Sequence, residues 1–92
     1  MPKVSICIPA YEQSDNLNKC LQSIEMQTFK DFEIIITDDS KGNELLNVIN
    51  SFKDKVSIKY YKNVPAKGSP ENWNESIKHA IGKYIKILQI GR

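Results

Sequence analysis

Neither glycine signature for gripping phosphate occurs in this sequence of 92 residues. There is no GxxxxGK[ST], which excludes a P-loop. The loop Ala10-Tyr11-Glu12-Gln13 after the first apolar run has no glycine, which excludes a dinucleotide fingerprint. Cysteine is scarce: Cys7 and Cys20 form no CxxC and join no His-Cys cluster, so both read as small buried thiols. The single histidine, His79, falls near the end of a predicted helix, where a cation suits the dipole. The sequence places no acidic or cysteine partner to make it a base or a ligand. No apolar stretch approaches the ~20 residues that span a bilayer, and no opening run resembles a signal peptide. A cytoplasmic location is therefore expected, with the inner face of a membrane reached only through a partner or a further C-terminal region. No block of one charge exists either. Thirteen basic and eleven acidic residues are mixed along the chain for a net charge of +2. That gives no case for nucleic acid or an anionic membrane surface. Repeats, low-complexity segments and linkers are absent too, so residues 1–92 read as a single domain.

What is present is organised around Phe32-Glu33-Ile34-Ile35-Ile36-Thr37-Asp38-Asp39-Ser40. Its four large apolar residues within five positions are too short a run for an ordinary helix and rich in β-branching. They read as a strand buried on both faces, as in parallel sheets. The run ends in two adjacent carboxylates. Beyond the carboxyl ends of such strands lies the crevice where open α/β sheets bind ligands. Asp38 and Asp39 can accept hydrogen bonds from a ligand there, or can simply cap a helix or fill a turn.

Around this strand the chain alternates. Lys3 to Pro9 is a strand stopped by proline. Ser14-Asp15 supplies an N-cap and an early acid. Leu17, Cys20, Leu21 and Ile24 then form the apolar stripe of a helix reaching about Gln27. After the central strand, Asn43 caps a helix with Leu45, Leu46, Ile49 and Phe52 inward. Val56 to Tyr60 alternates as a strand with one exposed face or at an edge. Asn63 to Gly68 is a polar loop. Ser69-Pro70-Glu71 opens a third helix with Trp73, Ile77, Ala80 and Ile81 as its buried face and Gly82 at its end. Tyr84 to Leu88 is a fourth strand. The order predicts an α/β, three-layer αβα fold. Four mostly parallel strands are joined by right-handed crossovers, with helices on both faces.

Two loops meet above such a sheet, Pro9-Ala10-Tyr11-Glu12 and Asp38-Asp39-Ser40. Tyr11 offers an aromatic face and Asp39 an acceptor, a combination that suits a nucleoside. At this point the sequence resembles the opening of the family 2 glycosyltransferases. The resemblance is carried by Val4-Ser5-Ile6-Cys7-Ile8-Pro9-Ala10-Tyr11, by Leu21-Gln22-Ser23-Ile24 with Gln27-Thr28-Phe29, and by the strand ending Asp38-Asp39-Ser40. Asn74 with Ile77 and Ala80, and Gly82-Lys83-Tyr84-Ile85, complete it. It implies the Rossmann-like, nucleotide-diphosphate-sugar-binding half of a GT-A fold, with strand order 3-2-1-4. By that resemblance Pro9, Ala10, Tyr11 and Glu12 line the nucleotide pocket. Asp39, with Asp38 beside it, bonds the base, a uracil, and Asn74 and Lys67 approach the nucleotide.

One departure from the family matters. Family members hold a divalent cation, Mn or Mg, on an Asp-x-Asp motif after the fourth strand. Here those positions read Gln89-Ile90-Gly91, and the acidic metal-binding motif is absent. The acceptor-binding half and catalytic base that the family carries further on have no counterpart in these residues. The expectation is a truncated donor-binding half that recognises a nucleotide-diphosphate sugar, a UDP-sugar, yet is inactive alone. It would also pair as a homodimer through the exposed edge strand Tyr84–Leu88. Two readings compete with this one. The first is a non-catalytic nucleotide-binding remnant. The second is a receiver-like signalling module, which needs a phosphorylatable Asp ending the third strand where this chain has Tyr60-Tyr61-Lys62.

Overall fold

The computed structural model describes residues 2–90. Four strands, β1 (Val4–Ala10), β2 (Phe32–Asp38), β3 (Ile58–Lys62) and β4 (Tyr84–Ile87), alternate with three helices. These are α1 (Ser14–Glu25), α2 (Glu44–Asn50) and α3 (Glu71–Lys78). The strands pair in parallel, as the alternation of elements predicts, in the order β3-β2-β1-β4 that the family resemblance implies. No helix among the described residues is long and apolar enough to cross a membrane.

The two faces of the sheet are chemically unlike. Even-numbered residues of the central strands, Ile6, Ile8, Ala10, Ile34 and Ile36, join Leu17, Leu21 and Ile24 of α1 and Leu45 and Ile49 of α2 in one apolar cluster. That burial is the main source of stability. Odd-numbered positions face α3, and there buried Ile35 is flanked by polar contacts. The Cys7 thiol donates to the Ser76 carbonyl at 3.6 Å, and the Thr37 hydroxyl donates to the Asn72 carbonyl at 3.3 Å. The buried residues of α3 are therefore Asn72 and Ser76. This corrects the apolar face expected from the sequence. Trp73, Ile77 and Ala80 are only half-buried flanks, and Ile81 is exposed. Short side chains at 72 and 76, one helical turn apart, let α3 approach a strand surface built of Ser5, Cys7 and Thr37.

At the other end of this polar layer lies Glu33, 4% exposed. Its Oε2 accepts from the Ser5 hydroxyl at 2.5 Å and the Ile81 N–H at 2.9 Å, while Oε1 pairs with Lys59 Nζ at 2.9 Å. Ser5 Oγ in turn accepts the Gly82 N–H at 2.7 Å. Burial alone would raise the Glu33 carboxyl, but the Ser5 and Ile81 hydrogen bonds and the Lys59 ammonium hold it below the usual carboxylate range. Gly82 is not the cap of α3, which closes at His79. A Cβ at Gly82 would stand 2.6 Å from Ser5 Oγ and 2.8 Å from the Val4 carbonyl carbon, so glycine is required for this close approach.

Other boundaries move by a few residues. Gln13, in a left-handed conformation, precedes α1, so Ser14 is its first residue rather than its cap. Pro70 takes the cap position of α3, and β3 starts at Ile58 rather than Val56. His79 does have an acidic neighbour: its Nε2 lies 3.2 Å from Glu75 Oε2, and its ring stacks on Tyr61 at 3.7 Å. Burial pushes both the Cys7 and Cys20 thiols up, in keeping with inert packing roles.

Candidate nucleotide site

Proline opens the site. The Cys7 carbonyl accepts the Leu88 N–H at 2.9 Å, so Pro9, two residues on, faces the same neighbour without an N–H to continue the ladder. The pairing of β1 with β4 stops there, and the strands part. A cavity of about 210 Å³ opens between them, lined by Pro9, Tyr11, Ser69, Asn72, Trp73, Gln89 and Ile90. This gap is the topological switch point of the sheet. From β1 the chain winds outward through β2 to β3, then crosses back to β4 on the other side. Tyr11, half-buried, and Trp73, expected in the core, bring two aromatic rings to one cavity.

The two carboxylates have different surroundings. Asp38 is fully buried and turned into the domain. Its Oδ1 accepts the Ser40 N–H at 2.8 Å, as in an Asx turn. Its Oδ2 accepts the Tyr60 hydroxyl at 2.6 Å and lies 3.6 Å from Lys62 Nζ. Burial first, and the Asp38 carboxylate next, push the Tyr60 hydroxyl well above its ordinary value. Asp39, 1% exposed, gathers the loop between β3 and α3. Oδ1 accepts from Asn63 Nδ2 at 2.7 Å and the Lys67 N–H at 3.0 Å, and Oδ2 accepts the Gly68 N–H at 2.8 Å. Asp39 lines a second cavity, with Ser40, Lys41, Lys62, Asn63 and the loop residues 64–66. Tyr11 and Asp39 thus lie on either side of a wall formed by this loop and Asn72.

The remaining expected residues are distributed as follows. Ala10 is buried, and its carbonyl accepts the Asp39 N–H at 2.9 Å. Glu12 and Gln13 both hold positive φ, 53° and 63°, a conformation that costs most L-residues energy and tends to sit near functional sites. The Glu12 N–H donates to Ser40 Oγ at 2.6 Å, tying the two loops together. Its side chain lines a separate hollow with Ser14, Gly42 and Glu44. Lys67 offers the site its N–H, while its ammonium lies 3.7 Å from Glu75 Oε1. Asn74 is exposed and lines neither cavity; Asn72, two residues earlier, is the buried amide. Asn63 and Asn72 escape a sequence reading because each is an ordinary polar residue locally, in a loop and a first helical turn. Only the convergence of three strand ends gives them partners.

A cation after β4 does not fit these residues. Gln89 is exposed and offers a neutral amide oxygen, and the Ile90 carbonyl accepts Asn16 Nδ2 at 3.0 Å. Among the described residues no three His, Cys, Asp or Glu side chains are grouped to hold a metal ion. Gly91, the second position expected to lack an acid, lies outside the described residues.

Comparison with known proteins gives one consistent result. Residues 5–88 match the profile of Glycosyl transferase family 2. A GalNAc(5)-diNAcBac-PP-undecaprenol beta-1,3-glucosyltransferase of Campylobacter jejuni is 36% identical over 90 residues, covering 96% of this chain and 29% of its own length. The UDP-Glc:alpha-D-GlcNAc-diphosphoundecaprenol beta-1,3-glucosyltransferase WfaP of Escherichia coli is 40% identical over 88 residues, with 96% and 35% covered. The chain thus spans about a third or less of the length of these relatives. The crystal structure of S. aureus TarS 1-349 in complex with UDP superposes with a TM-score of 0.86 at 25% identity, over 95% of this chain and 27% of that one. The mannosyltransferase PcManGT of Pyrobaculum calidifontis, in complex with GDP-Man and Mn2+, gives 0.83 at 17% identity, over 97% and 27%. The sheet and its helices are the Rossmann-like half of a GT-A fold, and the chain belongs to glycosyl transferase family 2.

Proposed function

We propose that the chain binds the uridine nucleotide of a sugar donor at the crevice between β1 and β4. In a glycosyltransferase this is the donor side, from which the sugar passes to an acceptor such as a polysaccharide, lipid or protein glycan. The observation that carries this reading is the cavity at the switch point, where the two rings Tyr11 and Trp73 line one space with Pro9, Ser69 and Asn72. The ring of the base stacks at Tyr11, with Pro9 and Ala10 beneath and Glu12 at the rim. Its N–H reaches Asp39 as the loop yields the Lys67 or Gly68 N–H, while Asp38 holds the turn in place. Lys67 and Asn74 act at the periphery. The names of the relatives, which are glucosyltransferases, support a sugar donor.

With Gln89 where an acid would meet a cation, diphosphate binding gains no metal clamp. The 92-residue chain accordingly binds without transferring, and two copies pair through the β4 edge. Titration of UDP followed by NMR should shift the amides of Ala10, Tyr11 and Asp39 at millimolar ligand. Relative to micromolar binding, that is a deficit of roughly 4 kcal/mol. Asp39→Ala should remove these shifts. Micromolar affinity without metal, shifts elsewhere on the chain, or turnover of a radiolabelled UDP-sugar above background would each reject the reading.

A further inference from the structure

We infer that Asn63 and Asn72 are positioning residues that decide which base edge the site accepts; this rests on the uridine reading above and deepens it. Two main-chain carbonyls set the starting point. Those of Ala10 and Thr37, at the ends of β1 and β2, lie 3.3 and 3.2 Å from Asn72 Nδ2. Carbonyls only accept, so only the NH₂ end of the Asn72 amide can face them. Asn72 Oδ1 is thereby turned to Asn63, whose Nδ2 donates to it at 2.9 Å. The same Nδ2 donates to Asp39 Oδ1 at 2.7 Å. A flipped Asn63 would set its own oxygen against two oxygens. Polarity therefore runs from two fixed carbonyls, through two amides, to an N–H aimed at the carboxylate.

Asn63, Asn72 and Asp39 are 7%, 1% and 1% exposed, so the relay is shielded from solvent that could correct a mismatch. When a base takes the place of the loop N–H groups, Asn63 stays and keeps Asp39 an acceptor. A base edge meeting it must bring an N–H. The imide of uracil does so; cytosine presents a lone pair at the same ring position and is repelled.

The test is NMR titration of the ¹⁵N-labelled chain with UDP and, separately, with CDP, for wild type, Asn63→Asp and Asn63→Ser. Wild type should favour UDP by about tenfold or more, as expected when a buried acceptor meets a lone pair. In Asn63→Asp two carboxyls meet at hydrogen-bond distance and share a proton. The pair then donates as well as accepts, and the preference should fall to within about threefold. Asn63→Ser carries a hydroxyl free to rotate and should give an intermediate ratio; it decides the matter if circular dichroism finds Asn63→Asp unfolded. Equal weakening toward both nucleotides with the ratio kept, as a merely structural role would give, overturns the relay and leaves the uridine reading standing. A wild-type chain without preference for UDP overturns both.

Discussion

Glu33 is a buried acid on the α3 side of the sheet, and its stability depends on remaining ionised. Its carboxylate accepts the Ser5 hydroxyl and the Ile81 N–H, and these contacts hold it below the usual range despite burial. A carboxyl lowered in the folded state adds stability above its unfolded value, and that contribution is lost as pH falls through the folded value. Replacing Glu33 with Gln, which offers one acceptor and an unwanted donor, should cost about 1.5–3 kcal/mol at neutral pH, the range for hydrogen bonds to a charged group. Lys59, partly exposed to screening solvent, should add little to that figure. Urea denaturation of both proteins should show the gap closing as pH falls below the ordinary carboxylate range and through the lowered folded value, because only the wild type loses the ionised group. A gap constant with pH would mean that Glu33 contributes shape alone.

At the scale of elements, the turn from α3 to β4 shows what a sequence can and cannot disclose. Gly82 reads as a helix terminator, yet α3 has already ended at Lys78, and the glycine instead lets the turn rest on Ser5 and Val4. Gly82→Ala should therefore cost about 1–3 kcal/mol, as overpacking does. Its urea midpoint should fall without a change in slope; a neutral effect would show that the turn can retreat from β1. The strands, three helices and their order were legible because periodicity and β-branching act locally, as in Phe32–Asp38. The inward face of α3 was not, because apolar patterning presumes an apolar partner, and around Ile35 the strands offered it Cys7, Thr37 and Ser5. Tyr11 and Asp39 were legible as residues at strand ends. The wall between them was not, since it depends on where the 63–68 loop folds back.

For the whole molecule, the two edges of the sheet differ. β3 carries Lys59 and Lys62, both engaged with acids of β2. The β4 edge is more exposed, with Tyr84 and Ile85 54% and 48% accessible, a surface that invites another strand. Light scattering at roughly 100 μM, where modest interfaces populate dimers, should detect a dimer of wild type and a monomer of Ile85→Lys. A wild-type monomer at that concentration would exclude pairing through β4.

The unlike faces of the sheet carry a consequence for how the sequence can drift. Leu17, Leu21, Ile24 and Leu45, on the oily side, answer only to volume, so exchanges among Leu, Ile and Met there should survive in a selection for folded protein. Ser5, Thr37, Asn72 and Ser76 answer to bond direction, and few residues of similar size offer the same donors and acceptors. A saturation library should therefore come back permissive on one side of the sheet and nearly fixed on the other.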